Sequence, residues 1–161
     1  MAKHYTIYMD VCCFNRPFDD WTQARIRLEA EAVLAIAAYC QLEGWNLIKS
    51  AALESEIART PDPIRKQQVL DSLAIAKTQV SVTEAVLARA TELVALSFKS
   101  FDALHIACAE AANADVFLTT DDRLIRKAAS YQSVLRVSVA NPVNWIMAVS
   151  AVEGEENDDT H

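Results

Sequence analysis

The sequence predicts an α/β protein with a central, mostly parallel sheet and helices on both of its faces. Three observations carry that expectation. Short apolar runs rich in β-branched and aromatic residues recur along the chain, as buried strands require. Longer segments between them repeat apolar residues every three or four positions, the helical period. The 161 residues include only 2 Gly and 4 Pro, so the chain has few natural breaks and favours helices joined by short connections. Strands that alternate with helices pair in parallel through crossovers, which are right-handed.

Each element follows from its residues. "HYTIYMD" reads as a first strand ending at Asp10, and "VCCFNRPFDDW" as a loop built on Pro17 and the Asp19–Asp20 pair. Residues 22 to about 43 form a long helix with Ile26, Ala30, Val33, Ala37 and Tyr39/Cys40 along one side and Gly44 as its stop. "WNLIKS" is a second strand, and Ser50 caps the helix "AALESEIART" that Pro61 closes. "PIRKQQVLDSLAIA" is a helix opened by Pro63, and "TQVSV" a short strand. "TEAVLARATELVALS" is a helix capped by Thr83. "SFDALHIACAEAANA" is a helix capped by Ser100 and stopped near Asn113. The strand "DVFLTT", the helix "DDRLIRKAAS", the strand "LRVSV" and a short helix "NPVNWIMAV" complete the chain. This gives one domain over residues 1–150 and an acidic, disordered tail over 151–161.

Charge and cysteine usage narrow the function classes. The formal net charge is −7, but the last eleven residues hold five acids and no Lys or Arg. Without them 17 acids face 15 bases, close to neutrality. No strong basic footprint remains, which counts against a dedicated DNA-binding protein but not against an enzyme with a short basic rim. Cys12, Cys13, Cys40 and Cys108 form no C-x-x-C pair, so a zinc site or disulfide framework is not expected. The N-terminus lacks the apolar run of a signal peptide, and no segment reaches the ~18 uninterrupted apolar residues of a membrane span. A soluble, cytoplasmic protein is the expectation.

The acids at element ends carry the functional reading. In open parallel sheets, sites lie beyond the carboxyl ends of the strands. Asp10 ends the first strand and Asp121 the fourth. Glu54 and Glu56 lie early in the helix after the second strand, and Asp102 opens the helix before the fourth. If these converge, their mutual repulsion needs a shared proton or a cation. Oxygen ligands without a His/Cys set favour Mg²⁺ or Mn²⁺, which can activate water at a phosphodiester. Taken singly, each acid also has an ordinary reading: acids complement helix N-termini, and Asp121 or Asp122 can cap the helix that follows.

Three segments in order, "IYMDVCCFNRP", "FDALHIACAEAANADVFLTTDDRLIRKA" and "VSVANPVNWI", resemble the PIN-domain family over about residues 5–148. The middle segment is the most specific, with its Asp-Ala-apolar-apolar-Ala helix, apolar strand and Thr-x-Asp. The resemblance implies a Mg²⁺- or Mn²⁺-dependent ribonuclease. It further implies, for a small single-domain member of this VapC-like type, the toxin half of a bacterial toxin–antitoxin pair, with RNA as substrate and a cognate antitoxin as partner. Position by position, it implies metal-binding and catalytic roles for Asp10, Glu56, Asp102 and Asp121, with Glu54 the less favoured alternative to Glu56 and Thr119, the motif's Thr, as a substrate contact. The sequence departs from the family where Asp10-Val11-Cys12 replaces a small polar residue after the first Asp. Asn15 and Arg16 are then the candidates to contact substrate in its stead. That departure also leaves open a PIN-like scaffold that binds RNA or a protein without cutting.

Other residues carry two readings each. Arg16 could hold an RNA phosphate or fix its loop on Asp19 or Asp20. Asp122 is an outer-shell acid or a helix cap. Lys99 is a basic rim or a solvated lysine. His105, one turn past Asp102, is a general base or a packed, hydrogen-bonded histidine. Trp45 and Trp145 read as packing, while Trp21 is the better base-stacking candidate. The apolar side of the long helix reads first as core, and second as a homodimer surface or antitoxin groove. A phosphatase-like hydrolase wants Asp-x-Asp after the first strand, and Asp10-Val11-Cys12 lacks it.

Overall fold

The computed structural model describes residues 3–158. Five strands, β1 (Thr6–Met9), β2 (Asn46–Ser50), β3 (Thr78–Val80), β4 (Val116–Leu118) and β5 (Ser138–Ala140), form one parallel sheet in the order β3-β2-β1-β4-β5. The helices are α1 (Val11–Asn15), α2 (Ala24–Leu42), α3 (Ala51–Ala58), α4 (Pro63–Leu73), α5 (Glu84–Ala95), α6 (Ser100–Ala111), α7 (Asp122–Ser130) and α8 (Pro142–Asp158), with a 3₁₀ turn at Arg16–Phe18. The α/β architecture is the one the sequence predicts.

The chain starts at the middle of the sheet, winds outward through β2 to β3, then returns to the other side of β1 for β4 and β5. The direction of winding therefore reverses between β1 and β4. The register Ile7–Val116, Tyr8–Phe117, Met9–Leu118 ends both strands at the same level. The Asp10 N–H donates to the Leu118 carbonyl at 2.9 Å, and that of Thr119 to Ala140 at 3.0 Å. Everything that follows β1 and β4 in sequence is thus delivered to one edge, where a crevice opens at such a reversal.

The core sits on both faces of the central strands. All of β4 and Ile7, Tyr8 and Met9 of β1 are buried, the pattern of a strand covered on both sides. Helix α6 packs against α3 and α5, and α2 against α8. On α2 the buried side is Ala30, Val33, Ile36 and Cys40, so the apolar stripe is core. Leu28 and Leu34 lie exposed elsewhere on the same helix. Gly44, with φ +79°, takes the left-handed turn that ends α2. Trp45 is buried against Tyr5, Tyr39 and Trp145, which makes both tryptophans packing residues.

Several boundaries differ from expectation for local reasons. The expected loop after Asp10 is helical over Val11–Asn15, because the Asp10 side chain accepts the Val11 N–H and caps it. Ser100 is the first helical residue of α6 rather than its cap, and Lys99 precedes it without a side-chain hydrogen bond. The last strand begins at Ser138, since Val134 and Leu135 donate back to the Tyr131 carbonyl and belong to the turn after α7. Helix α8 continues to Asp158, so the stretch expected as a tail falls partly on its last turns, and residues 159–161 lie outside the described residues. Among the described residues no helix is long and apolar enough to cross a membrane.

Candidate metal centre

Asp10 leaves the end of β1 with its carboxylate turned back over the first turn of α1. It accepts the Val11 N–H at 2.8 Å and the Thr119 hydroxyl at 3.1 Å, while the Cys12 thiol lies 3.6 Å away. Thr119 is fully buried at the end of β4, and its hydroxyl also receives the Asp121 N–H at 3.2 Å. Thr119, the motif's own Thr, donates its hydroxyl to Asp10 across the sheet, and from the residue pair after Asp10 the Cys12 thiol is the side chain near the carboxylate. The buried Thr119 side chain orients Asp10 in this geometry.

Glu56 reaches the same point from α3. One ligand atom each from Asp10, Glu56 and His105 lie within 4.8 Å of one another. Glu54 is exposed and lies beside Lys49, Leu70 and Leu73 instead. Two residues apart on a helix point to opposite sides, and α3 turns Glu56 inward. His105, one turn after Asp102 on α6, is buried, with its Nε2 2.8 Å from Glu56 Oε2. The packed, hydrogen-bonded reading of His105 holds, and its partner is a site acid.

Asp102 and Asp121 lie alongside rather than within that tight group. Both line a cleft of about 190 Å³ with Lys99, Arg123 and Lys127. Asp121 is exposed and caps α7 by accepting the N–H groups of Arg123 and Leu124 at 2.9 and 3.3 Å. Burial, with the negative charges of Asp10 and Asp121, pushes the Asp102 carboxyl up to about 6. Burial pushes Asp10 up as well, and the Glu56 charge adds to it. The four acids thus form a string along one edge of the sheet, Glu56–Asp10–Asp102–Asp121. Among the described residues, no Lys or Arg makes a salt bridge to any of them.

This arrangement fits a hard divalent cation. The donors are mainly carboxylate oxygens from four separate elements, and burial, with the charges of Asp10 and Asp121, already raises the Asp102 carboxyl above the ordinary range. A cation between them removes that penalty.

The other nominated residues are engaged elsewhere. Arg16 donates to Glu29 and Asp19, each at 2.9 Å, and Asn15 accepts from Arg65 at 3.1 Å. Both brace the α1–α2 connection. Asp20 binds Thr22, not Arg16. Asp122 forms a two-point pair with Arg25 at 2.7 and 2.8 Å, so it neither caps α7 nor faces the acids. Trp21 is half exposed, with its indole N–H on the Pro17 carbonyl. The cations that do border the acids are Lys99, Arg123 and Lys127. Arg123 and Lys127 went unnoticed in the sequence although their four-residue spacing just after Asp121 sets them on one side of a helix.

The sequence model of the PIN domain matches residues 7–130, which takes in all four acids. No curated protein matches the chain. Among solved structures, a chain of VapBC2 from Rickettsia felis bound to a DNA fragment from their promoter is similar in fold. The TM-score is 0.55 at 12% identity, covering 84% of this chain and 98% of that one.

Proposed function

The chain belongs to the PIN-domain family, and from that premise we propose that it is a metal-dependent endoribonuclease, the toxin of a bacterial toxin–antitoxin pair. The observation that carries the reading is the string of acids at the β1/β4 reversal with no Lys or Arg salt bridge among the described residues, Asp10 and Asp102 both held above the usual carboxylate range. Asp10, Glu56, Asp102 and Asp121 would hold one or two Mg²⁺ or Mn²⁺ ions. When bound, such an ion supplies positive charge to the scissile phosphodiester and acidifies the attacking water.

The chain's own residues divide the remaining work. Thr119 fixes the Asp10 carboxylate through its hydroxyl. Lys99, Arg123 and Lys127 border Asp102 and Asp121 without acid partners among the described residues, and they take the substrate phosphates next to the cleavage point. These three replace Arg16 and Asn15 as substrate contacts. The toxin role draws on the fold the chain shares with a VapBC2 structure. An antitoxin or a second copy of the chain would cover the exposed leucines of α2.

Incubation of the protein with cellular RNA, with Mg²⁺ or Mn²⁺ and with chelator, tests this reading. Cutting that needs the metal and is lost in Asp10→Ala and Asp102→Ala is the expected result. A folded protein that binds RNA stoichiometrically and never turns it over would leave the non-cutting scaffold as the function.

A further inference from the structure

Behind the acids lies a chain of buried polar groups that the metal reading does not use. Ser50, at the end of β2, accepts the Leu53 N–H at 3.1 Å. Its Oγ lies 2.7 Å from the Tyr8 hydroxyl, which lies 2.6 Å from His105 Nδ1. His105 Nε2 lies 2.8 Å from Glu56 Oε2. Ser50, Tyr8 and His105 are each almost wholly buried, and Glu56 is the point where the chain of bonds meets the site.

Three separate elements contribute these groups: β1, β2 and α6. A polar string through the middle of an apolar core is expensive unless every member is satisfied, and here every member is. An apolar core would have needed none of it. Against an ionised Glu56, which only accepts, Nε2 is the donor of this bond. That holds whichever way the Tyr8–His105 hydrogen bond runs. The ring is also fixed by packing: Tyr8 is stacked on Phe117, and Phe101 stacks on the imidazole.

We propose that Tyr8 and His105 are positioning residues that hold the Glu56 carboxylate in one orientation toward the bound cation. The proposal rests on the metal-site reading above. Glu56 sits on a short helix and is partly exposed, so its side chain has rotamers to choose from. The imidazole N–H occupies one oxygen and selects one rotamer, leaving the other oxygen for Asp10's side of the site. A carboxylate fixed in advance loses less freedom on binding a cation.

The test uses Mn²⁺ alone as probe, with free ion followed by electron paramagnetic resonance, on the full chain. Tyr8→Phe keeps the ring and removes the hydroxyl, His105→Ala removes the donor, and His105→Gln retains an amide N–H that can reach Glu56. The expected loosening of Mn²⁺ binding is about 10-fold for Tyr8→Phe and His105→Ala, with His105→Gln recovering most of it. Metal-free wild type should also show a ring Nε2–H signal protected from solvent exchange. Thermal midpoints recorded beside the titrations separate position from stability. Variants that melt earlier but bind Mn²⁺ as the wild type does would overturn the proposal. So would an absent Nε2–H signal, or a His105→Gln variant no better than His105→Ala. A wild type that takes up no Mn²⁺ would sink the metal reading and this inference with it. One that binds Mn²⁺ but cuts no RNA would sink only the ribonuclease function, and the affinities would still decide the role of Tyr8 and His105.

Discussion

Acids are treated in two ways in this molecule. Glu29 on α2 and Glu110 on α6 are buried, and each is fully matched. Glu29 receives Arg16 at 2.9 Å, Arg25 at 3.3 Å and Asn141 at 2.6 Å. Glu110 receives Arg89 at 2.7 and 3.1 Å and the Arg136 N–H at 2.7 Å. The acids at the β1/β4 reversal are treated differently. They are gathered from four elements, and burial and mutual repulsion push Asp10 and Asp102 up with no Arg or Lys paired to them. The same chain therefore pairs guanidinium groups with Glu29 and Glu110 and forms no such salt bridge, among the described residues, to the acids at the reversal. That contrast separates the site from the scaffold more sharply than the presence of carboxylates does.

The contrast can be broken by substitution. The largest effect is expected at a matched acid. Glu29→Ala strands Arg16 in a partly buried position and removes the clamp between α2 and Asn141, which should lower unfolding free energy by about 3–5 kcal/mol. Urea denaturation measures it, and a loss under about 1 kcal/mol would mean that Glu29 is no more than a surface acid. At an unmatched acid the loss should fall on activity instead. Asp10→Asn retains the oxygen that caps α1 and removes the charge that burial and Glu56 oppose, so the metal-free protein should be no less stable, while RNA cleavage should drop by about 10²–10³-fold. Alanine is the poorer probe here: it deletes both the cap and the bond from Thr119, which offsets the relief of repulsion expected from sequence.

Asp102 gives the third test, and its sign is opposite to that of Glu29. Its carboxyl is raised to about 6 from an ordinary 3.8. Between those values the folded protein holds a proton that the unfolded chain has lost, so stability falls as pH rises through this window and stays lower above it. Asp102→Asn should therefore stabilise the metal-free protein by about 1–2 kcal/mol above pH 6, after allowance for its partial exposure, and by nothing below pH 4. A gain that is independent of pH would assign it to packing. The smallest effect is expected at Asp122, whose pair with Arg25 is about half exposed on both sides. Asp122→Ala should leave both stability and cleavage close to those of the wild type.

The fold was legible because its signals are local. β-branched runs, Pro63, Gly44 and the caps Ser50 and Thr83 each act within a few residues, and they placed most elements. The positions of Asp10, Asp102 and Asp121 at element ends were legible for the same reason. What escaped depends on contacts between distant segments. The loop-fixing pair of Arg16 with Asp19 was legible, but its second partner, Glu29, lies thirteen residues on, buried on the apolar side of α2. A trace was present, since Glu29 falls three residues after Ile26 and four before Val33, on the stripe itself. Glu110 sits likewise after Ala103, Ile106 and Ala107. An acid on an apolar stripe announces a buried partner without saying which. The link from Ser50 through Tyr8 to His105 left no trace, because it depends on strand order and on which face β1 turns toward α6.

The most direct test of the unmatched acids is the thermal midpoint of the metal-free protein titrated with Mn²⁺, beside Glu29→Gln and Asp10→Asn. A ligand that binds only the folded state stabilises it by about 2.7 kcal/mol at a hundred times its Kd. The wild type and Glu29→Gln should rise by similar increments from their different starting midpoints, and Asp10→Asn should stay nearly flat. Wild-type and Asp10→Asn curves that respond alike, or not at all at millimolar Mn²⁺, would contradict the claim that these acids await a cation.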